Sequence, residues 1–131
     1  MRRRILVAAA VAGLIAIGAW SLMPEDPVPL LDVTVPALSG EAAAGARLFA
    51  RYCDECHGPA GAGSQAGPPL IDSIYAPGHH GDASFYSAAL GGSRAHHWRF
   101  GPMPPVEGIT EQEIGRIIAF VRAVQRANGI E

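Results

Sequence analysis

Residues 53–57 read Cys-Asp-Glu-Cys-His, and this pentapeptide contains both cysteines of the 131-residue chain. On one turn of a helix, side chains at i and i+3 lie on the same face. Two thiols and an imidazole are therefore concentrated within a single turn. This stretch decides how the rest of the sequence is interpreted, since three kinds of site use a Cys-x-x-Cys pair.

Two of these kinds of site, structural zinc sites and redox-active dithiols, fit the motif poorly. A closed structural zinc site needs four ligands and there is no second cysteine pair, although zinc held by Cys53, Cys56 and two histidines remains open. A thioredoxin-like dithiol belongs to a βαβ unit, and no β-strand is predicted. Cys-x-x-Cys-His is the attachment signal for c-type haem. The pattern predicts one covalent haem c, with thioethers from Cys53 and Cys56 and iron ligation by His57.

Helices are predicted on both sides of the motif. Ser39 is a candidate N-cap for a helix whose apolar side chains repeat at i, i+3, i+4 and i+7, and which runs into Cys53. Near the other end, Thr110 to Glu113 has the spacing of a capping box, and Asn128-Gly129 would end the helix. The apolar repeats are Gly45, Leu48, Phe49 and Tyr52 in the first helix, and Ile114, Ile117, Ile118 and Val121 in the last.

A short helix is predicted between these two. Asp82 would cap the segment Ala83 to Leu90, which stops at Gly91-Gly92. No stretch alternates with a period of two, so the domain is predicted to be all-α.

The globular part, residues 39–131, is small for a stable core. It has 93 residues, of which 57–69 and 91–109 are rich in Gly and Pro. So small a domain needs an additional constraint, and a disulfide between Cys53 and Cys56 would close too short a loop to provide it. A porphyrin is a large apolar body around which three helices and loops can pack, so the haem would supply the missing core.

The N-terminal 38 residues divide into a membrane segment and a linker. Residues 5–23 carry no charge and, as a helix, would span roughly 28 Å, close to the thickness of the bilayer hydrocarbon. The arginines in residues 2–4 predict a cytoplasmic N-terminus and export of the rest. We therefore predict an uncleaved anchor at residues 1–23, with a cleaved signal peptide as the alternative. Residues 24–38, with four prolines, are predicted to be a stiff linker.

Charge excludes one class of function. The chain has ten arginines, no lysine and twelve acidic residues, a net charge of −2 with neutral histidines. A basic nucleic-acid binder is excluded, and no nucleic acid is expected as a partner. Residues 24–131 keep seven arginines and all twelve acids, so the exported body carries 7 − 12 = −5.

With these features in place, residues 40–128 resemble the class I, mono-haem c-type cytochromes. The segment from Gly45 to Cys53 is similar to the family's N-terminal helix, in which a glycine and then an aromatic residue precede the first cysteine. Residues 118–121 resemble its C-terminal helix, with Phe120 in the aromatic position. The resemblance implies the small cytochrome c fold, in which the two helices cross at the glycine and pack around the haem.

The resemblance also implies two further site residues. Residues 67–70 resemble the segment whose proline carbonyl, here that of Pro68, accepts a hydrogen bond from the ligating histidine and orients it. Met103, in Gly-Pro-Met-Pro-Pro at 101–105, corresponds to the family's axial methionine; a solvent-facing methionine is the alternative. A His57/Met103 pair would raise the reduction potential and leave no open position on the iron.

Two histidine pairs, His79-His80 and His96-His97, are not explained by the general family. They could be ordinary loop histidines, groups at the haem edge, a second site for copper or zinc, or a source of a sixth ligand in place of Met103. In the haem-edge interpretation Trp98 lies on the same loop, and Arg99 or Arg94 would stabilise the haem propionates.

The expected function is one-electron transfer by the haem rather than enzyme catalysis, in a periplasmic or otherwise extracytoplasmic chain reached from the inner membrane. The expected partners are redox proteins of that membrane chain, which do not dock on a lysine ring. A permanent electron-entry subunit of a membrane oxidoreductase is the alternative. A haem sensor or peroxidase would need an open iron position, and metal handling would rest on the histidine pairs.

Overall fold

The computed structural model describes residues 30–131, and that part of the chain is helical. Its four α-helices are α1 (Gly40–Tyr52), α2 (Asp54–His57), α3 (Asp82–Gly91) and α4 (Glu111–Ala127), with 3₁₀ turns at Pro59–Gly61 and Ser73–Tyr75. Across residues 30–131 there is no β-strand, only one isolated bridge between Ser93 and Met103. The predicted all-α fold is confirmed for this part of the chain.

Helices α1 and α4 cross at Gly45. A Cβ atom on Gly45 would lie 1.9 Å from the carbonyl oxygen of Arg116, so only a residue without a side chain permits this approach of the two backbones. One turn further on, the Phe49 and Phe120 rings pack with centroids 5.3 Å apart and planes inclined by 56°. The crossing that the resemblance implied is therefore present. It fixes the orientation of α1 and with it the position of the cysteine motif that follows.

Helix α4 begins and ends as its sequence predicts. The Thr110 hydroxyl accepts a hydrogen bond from the Glu113 amide, and the Glu113 carboxylate accepts one from the Thr110 amide, which completes a capping box. The helix ends before Asn128. Its buried face includes the four predicted positions and extends beyond them: Ile114, Ile117, Ile118, Phe120, Val121, Arg122, Val124 and Gln125.

The predicted cap of α3 is wrong in its detail. Asp82 is the first residue of the helix, and Gly81 occupies the N-cap position. The Asp82 carboxylate instead accepts a hydrogen bond from Arg122 Nε at 2.9 Å. A charged partner on α4 gives the carboxylate a stronger contact than the local backbone amides would.

Arg122 connects α4 to the chain that precedes α3. Besides Asp82, its guanidinium donates to the carbonyl of Tyr75 at 2.6 Å, the carbonyl of His80 at 2.6 Å and the side-chain oxygen of Gln125 at 2.7 Å. The residue is 8% exposed. A buried arginine with this many acceptors holds the 75–82 segment against α4.

Residues 30–38, the described part of the predicted linker, have no regular structure but contact the folded domain. The Leu31 amide donates to the Ala62 carbonyl at 3.1 Å. The Asn128 side chain pairs with Thr34, accepting from its amide at 3.0 Å and donating to its carbonyl at 2.9 Å. Contacts of the domain thus begin before residue 39.

The predicted anchor, residues 5–23, lies outside the described residues. Among the helices of residues 30–131, none has the length and apolar character needed to cross a membrane.

Candidate functional site

A cavity of about 550 Å³ lies between α4, the cysteine motif and the loops on either side of α3. Apolar side chains form most of its wall, and the two cysteines and the histidine of the motif also line it. Among its lining residues are Cys53, Cys56, His57, Pro68, Leu70, Tyr75, Phe85, Trp98, Met103, Ile114, Ile117 and Ile118. The cavity is large enough for a cofactor-sized ligand.

The cysteine motif forms its own turn of helix. Helix α1 ends at Tyr52, Cys53 leaves helical geometry with φ −123°, and α2 then starts at Asp54. The His57 amide donates to the Cys53 carbonyl at 2.8 Å, which closes the turn. Cys53 is half-buried and Cys56 is exposed, so one thiol faces the interior and the other lies at the cavity mouth.

His57 is held in a defined orientation. Its Nδ1–H donates to the Pro68 carbonyl at 2.9 Å, and the residue is only 8% exposed. Burial lowers the pKa of His57 and outweighs the opposing effect of the Pro68 carbonyl. The imidazole is therefore neutral near pH 7, and Nε2 is left with its lone pair free to bind a metal.

The Cys53 thiol is not a reactive thiolate. Burial raises its pKa from 9.0 to about 11, with smaller contributions from Cys56 and Asp54. At neutral pH this cysteine stays protonated, unlike the attacking cysteine of a dithiol oxidoreductase. Within the described residues, the side chains close enough together to hold a metal ion are those of His79, His80 and His97. Neither cysteine belongs to this group, so no closed zinc site forms around the motif.

Met103 lines the same cavity from a loop that is fixed to the end of α3. Ser93 and Met103 exchange backbone hydrogen bonds of 2.9 and 2.8 Å. Gly92 makes this approach possible: its φ is +77°, and a Cβ atom there would lie 2.7 Å from the Met103 carbonyl oxygen. These contacts hold the backbone at Met103 next to the C-terminal end of α3.

One edge of the cavity is polar. The indole nitrogen of Trp98 is buried and makes no hydrogen bond of standard geometry, although its N–H interacts with the Tyr75 hydroxyl. Burial raises the pKa of the neighbouring Tyr75 phenol, against the opposing effect of the Trp98 indole. Arg94 also lines the cavity, whereas Arg99 is not among its lining residues. A buried N–H donor whose nearby acceptor is poorly aligned fits a ligand that brings an anionic oxygen to this edge.

The predicted histidine pairs are brought together although 16 residues separate them. His80, His96 and His97 line the cavity, and His79 packs behind them with its ring centroid 4.6 Å from that of His80 and 5.1 Å from that of His97. The four rings form one cluster at the rim of the cavity, on the same loop side as Trp98.

A cytochrome c family profile matches residues 42–125, which is well over half of the chain. The chain belongs to the cytochrome c family. Membership implies haem c as the cofactor and haem-based electron transfer as the activity, which makes a carrier a better description than an enzyme. No curated protein and no solved structure matches the chain.

The cavity of this cytochrome c fits such a haem. Its wall is mostly apolar, two thiols and a neutral imidazole line it, and the buried Trp98 N–H at its polar edge could donate to an anionic oxygen of the haem. Cys53, Cys56 and His57 would hold the porphyrin and its iron, with Pro68 orienting the imidazole.

One residue of the cavity wall, Tyr75, and one residue that supports the wall, Arg122, were missed from the sequence. Tyr75 lies in a segment without periodicity, so no local pattern marks it. Arg122 did carry a signal, because it stands four residues after Ile118 on the buried face of α4, where a charge requires buried acceptors.

Proposed function

We propose that this cytochrome c is a one-electron carrier with a single haem, attached through Cys53 and Cys56 and ligated by His57 and Met103. The observation that carries the proposal is the fixed His57 imidazole, whose Nδ1 is occupied by Pro68, in a cavity that also exposes Met103. When bound, a haem supplies a reversible Fe(III)/Fe(II) couple.

The two cysteines supply the covalent attachment. Each thiol would add its S–H across one vinyl group, forming a C–S and a C–H bond while the C=C bond becomes single, so no oxidant is consumed. The high pKa of Cys53 is compatible with this step, since the product is a neutral thioether that tolerates burial.

Met103 would raise the reduction potential of a bound haem and would close its iron to other ligands. A thioether is a soft ligand that favours the reduced metal, so a His/Met pair gives a higher potential than two histidines. Two protein ligands also leave no open position for oxygen or peroxide. The sensor and peroxidase functions therefore receive no support from this arrangement.

The remaining residues control where electrons enter. The apolar wall from α4, with Ile114 and Ile117 buried, excludes water from the inner side of the cavity. On the opposite side Cys56 is exposed, so the thioether it forms would bring the porphyrin edge to the surface. Electron exchange with partners is proposed to occur at this edge.

The cellular setting is proposed from the sequence. An N-terminal anchor at residues 5–23 would hold the haem domain at the periplasmic face of the inner membrane, near redox partners in the same membrane. The acidic body, without lysine, favours partners that present a basic patch or bind with little dependence on charge. Retention of the full-length chain in alkaline-washed membranes would support the anchor; a shortened, released chain would support cleavage instead.

The decisive experiment is absorption spectroscopy of the haem-loaded protein and of Met103→Ala. The ferric wild type is expected to show the weak far-red band of thioether-ligated haem, and Met103→Ala is expected to lose it and to have a lower midpoint potential. Met23→Ala is the control, because it removes the other internal methionine and should keep both properties.

Two results would contradict the proposal. A wild-type ferric spectrum without the band, unchanged in Met103→Ala, would exclude Met103 as a ligand. Full covalent haem incorporation in the Cys53→Ser/Cys56→Ser double variant would exclude these cysteines as the attachment points.

A further inference from the structure

The histidine cluster, defined as His79, His80, His96 and His97, brings four imidazoles into mutual contact. Ring centroids are 4.4 Å apart for His96 and His97, 5.1 Å for His80 and His97, and 5.8 Å for His80 and His96. One ring nitrogen from each of His79, His80 and His97 lies within 4.8 Å of the other two. The two pairs come from separate loops, so the fold and not the local sequence assembles them.

Backbone carbonyls fix the tautomers of the central pair. His80 Nδ1 lies 2.6 Å from the Ile74 carbonyl oxygen, and His96 Nδ1 lies 2.7 Å from that of Arg94. A carbonyl only accepts, so the hydrogen sits on Nδ1 in both rings and Nε2 has a lone pair. His79 Nδ1 shares the Ile74 carbonyl at 2.8 Å, which explains why it also lies 2.9 Å from His80 Nδ1.

The two free nitrogens face each other. His80 Nε2 and His96 Nε2 are 3.5 Å apart, and with both hydrogens on Nδ1 this contact joins two lone pairs. A shared cation removes the repulsion. Two imidazoles at about 2.05 Å from a tetrahedral zinc place their nitrogens about 3.3 Å apart, close to the observed separation.

We propose that the histidine cluster binds one divalent transition-metal ion of the class that prefers imidazole, Zn²⁺ or Cu²⁺. All the candidate ligands are imidazoles, which suit zinc and copper and not magnesium or calcium. The Nδ1 hydrogen bonds to backbone carbonyls are those that orient metal-binding histidines. The exposed rings of His79 and His97 supply further ligands, since each has a ring nitrogen within 4.8 Å of one on His80.

The loop that presents one of the pairs is held in place before any ion binds. Arg122 donates to the His80 carbonyl at 2.6 Å, and the Tyr75 ring packs on the His80 ring with centroids 5.2 Å apart. Arg122 is itself paired with Asp82, which compensates its charge near the site. Binding thus requires little ordering of the backbone.

A role in holding haem propionates is the competing use of this cluster, since three of its members line the cavity. A carboxylate needs N–H donors directed at it. In the tautomers fixed by Ile74 and Arg94, the inward nitrogens of His80 and His96 are acceptors, and a second positive charge among four adjacent imidazoles is unfavourable. The cluster is therefore better suited to a cation than to an anion.

The test is calorimetric titration of Zn²⁺ into the haem-loaded full chain, stripped of metals with a chelator and carrying no polyhistidine tag. One ion per chain is expected. The double variants His79→Gln/His97→Gln and His80→Gln/His96→Gln should each bind at least about tenfold more weakly, given that even hydrogen-bond partners of metal ligands are worth about 10–100-fold. Glu107→Gln, which removes an exposed carboxylate outside the cluster, should bind as the wild type does.

A second readout counts the ligands. Electron paramagnetic resonance of one equivalent of Cu²⁺ should show hyperfine splitting from several imidazole nitrogens, fewer of them in each double variant. Haem content per chain is measured by the pyridine haemochrome method for every variant, and metal binding is compared between haem-loaded chains only.

Two results would overturn the proposal. The first is binding in both double variants as tight as in the wild type. The second is a haem-loaded wild type that binds neither Zn²⁺ nor Cu²⁺; loss of haem or a shifted haem spectrum in the double variants would then show that the cluster serves the haem instead.

Discussion

At the scale of a single residue, Gly45 is a position at which one added carbon atom has a large effect. The Cβ of alanine would lie 1.9 Å from the Arg116 carbonyl oxygen and 3.0 Å from the Phe120 Cβ, and a backbone oxygen in the middle of α4 cannot rotate away. Gly45→Ala is expected to destabilise the folded protein by about 1–3 kcal/mol or more, despite the better helix propensity of alanine. Thermal unfolding followed by far-UV circular dichroism measures the change.

Gly91→Ala is the matched control for this substitution. Gly91 is also helical, at the end of α3, and a Cβ there meets no atom within 4 Å. Its melting temperature should be unchanged or slightly higher. Equal melting temperatures for the two alanine variants would show that the α1–α4 approach is looser than the structure indicates.

Residue-level roles were predictable where a motif or a resemblance supplied them. The resemblance implied a carbonyl contact from Pro68, and the structure places that carbonyl on His57 Nδ1. Arg99 or Arg94 was expected beside the propionates, and of these two Arg94 lines the cavity. Arg94 and Arg99 lie on the same irregular loop, where the path of the backbone decides which side chain faces the cavity. No periodicity in the sequence predicts that path.

At the scale of an element, the capping box of α4 makes stability depend on pH. Hydrogen bonds from the Thr110 amide and hydroxyl lower the pKa of the Glu113 carboxyl below its ordinary value of 4.5. A lowered pKa in the folded state means that the stabilisation is present above pH 4.5 and is lost as the pH falls through the folded-state value. Glu113→Gln is therefore expected to melt at a lower temperature than the wild type at pH 7, with the difference shrinking below pH 4.5.

Glu111→Gln provides the control for the capping box. It removes the same charge from the same helical turn but lies outside the box. Melting curves of the three proteins between pH 3 and 7 should show the pH-dependent loss chiefly for Glu113→Gln. Identical profiles for both variants would attribute the effect to the helix dipole instead of the cap.

Elements were predictable in proportion to how local their signals are. The first and last helices have apolar repeats within a few residues, and both lie where they were expected, although Ser39 stands at the N-cap position of α1 without a side-chain cap hydrogen bond. The start of α3 was misplaced because Asp82 is bound by Arg122, which lies 40 residues away. A capping residue is recognised from its neighbours in sequence, whereas a long-range ion pair can take the same side chain and leave Gly81 as the cap.

At the scale of the whole molecule, the cavity decides whether the domain folds without its cofactor. The side chains of Ile114, Ile117 and Leu70 belong both to the hydrophobic core and to the cavity wall. The core is therefore completed only when the cavity is filled. Without the haem these apolar side chains face water, which removes part of the hydrophobic stabilisation of a domain whose net stability is ordinarily only about 5–15 kcal/mol.

The haem-free protein is therefore expected to have little persistent helix. The Cys53→Ser/Cys56→Ser double variant, purified without haem, should show far-UV circular dichroism with most of the helical signal lost and amide hydrogens that exchange rapidly in α3. Helix α3 is the most sensitive probe, because none of its residues is buried and its inner side faces the cavity. The haem-loaded wild type at the same concentration is the reference. A cooperative thermal transition and near-normal helix content in the haem-free variant would mean that the helices form a sufficient core by themselves, and that the haem is an addition to a stable fold and not part of it.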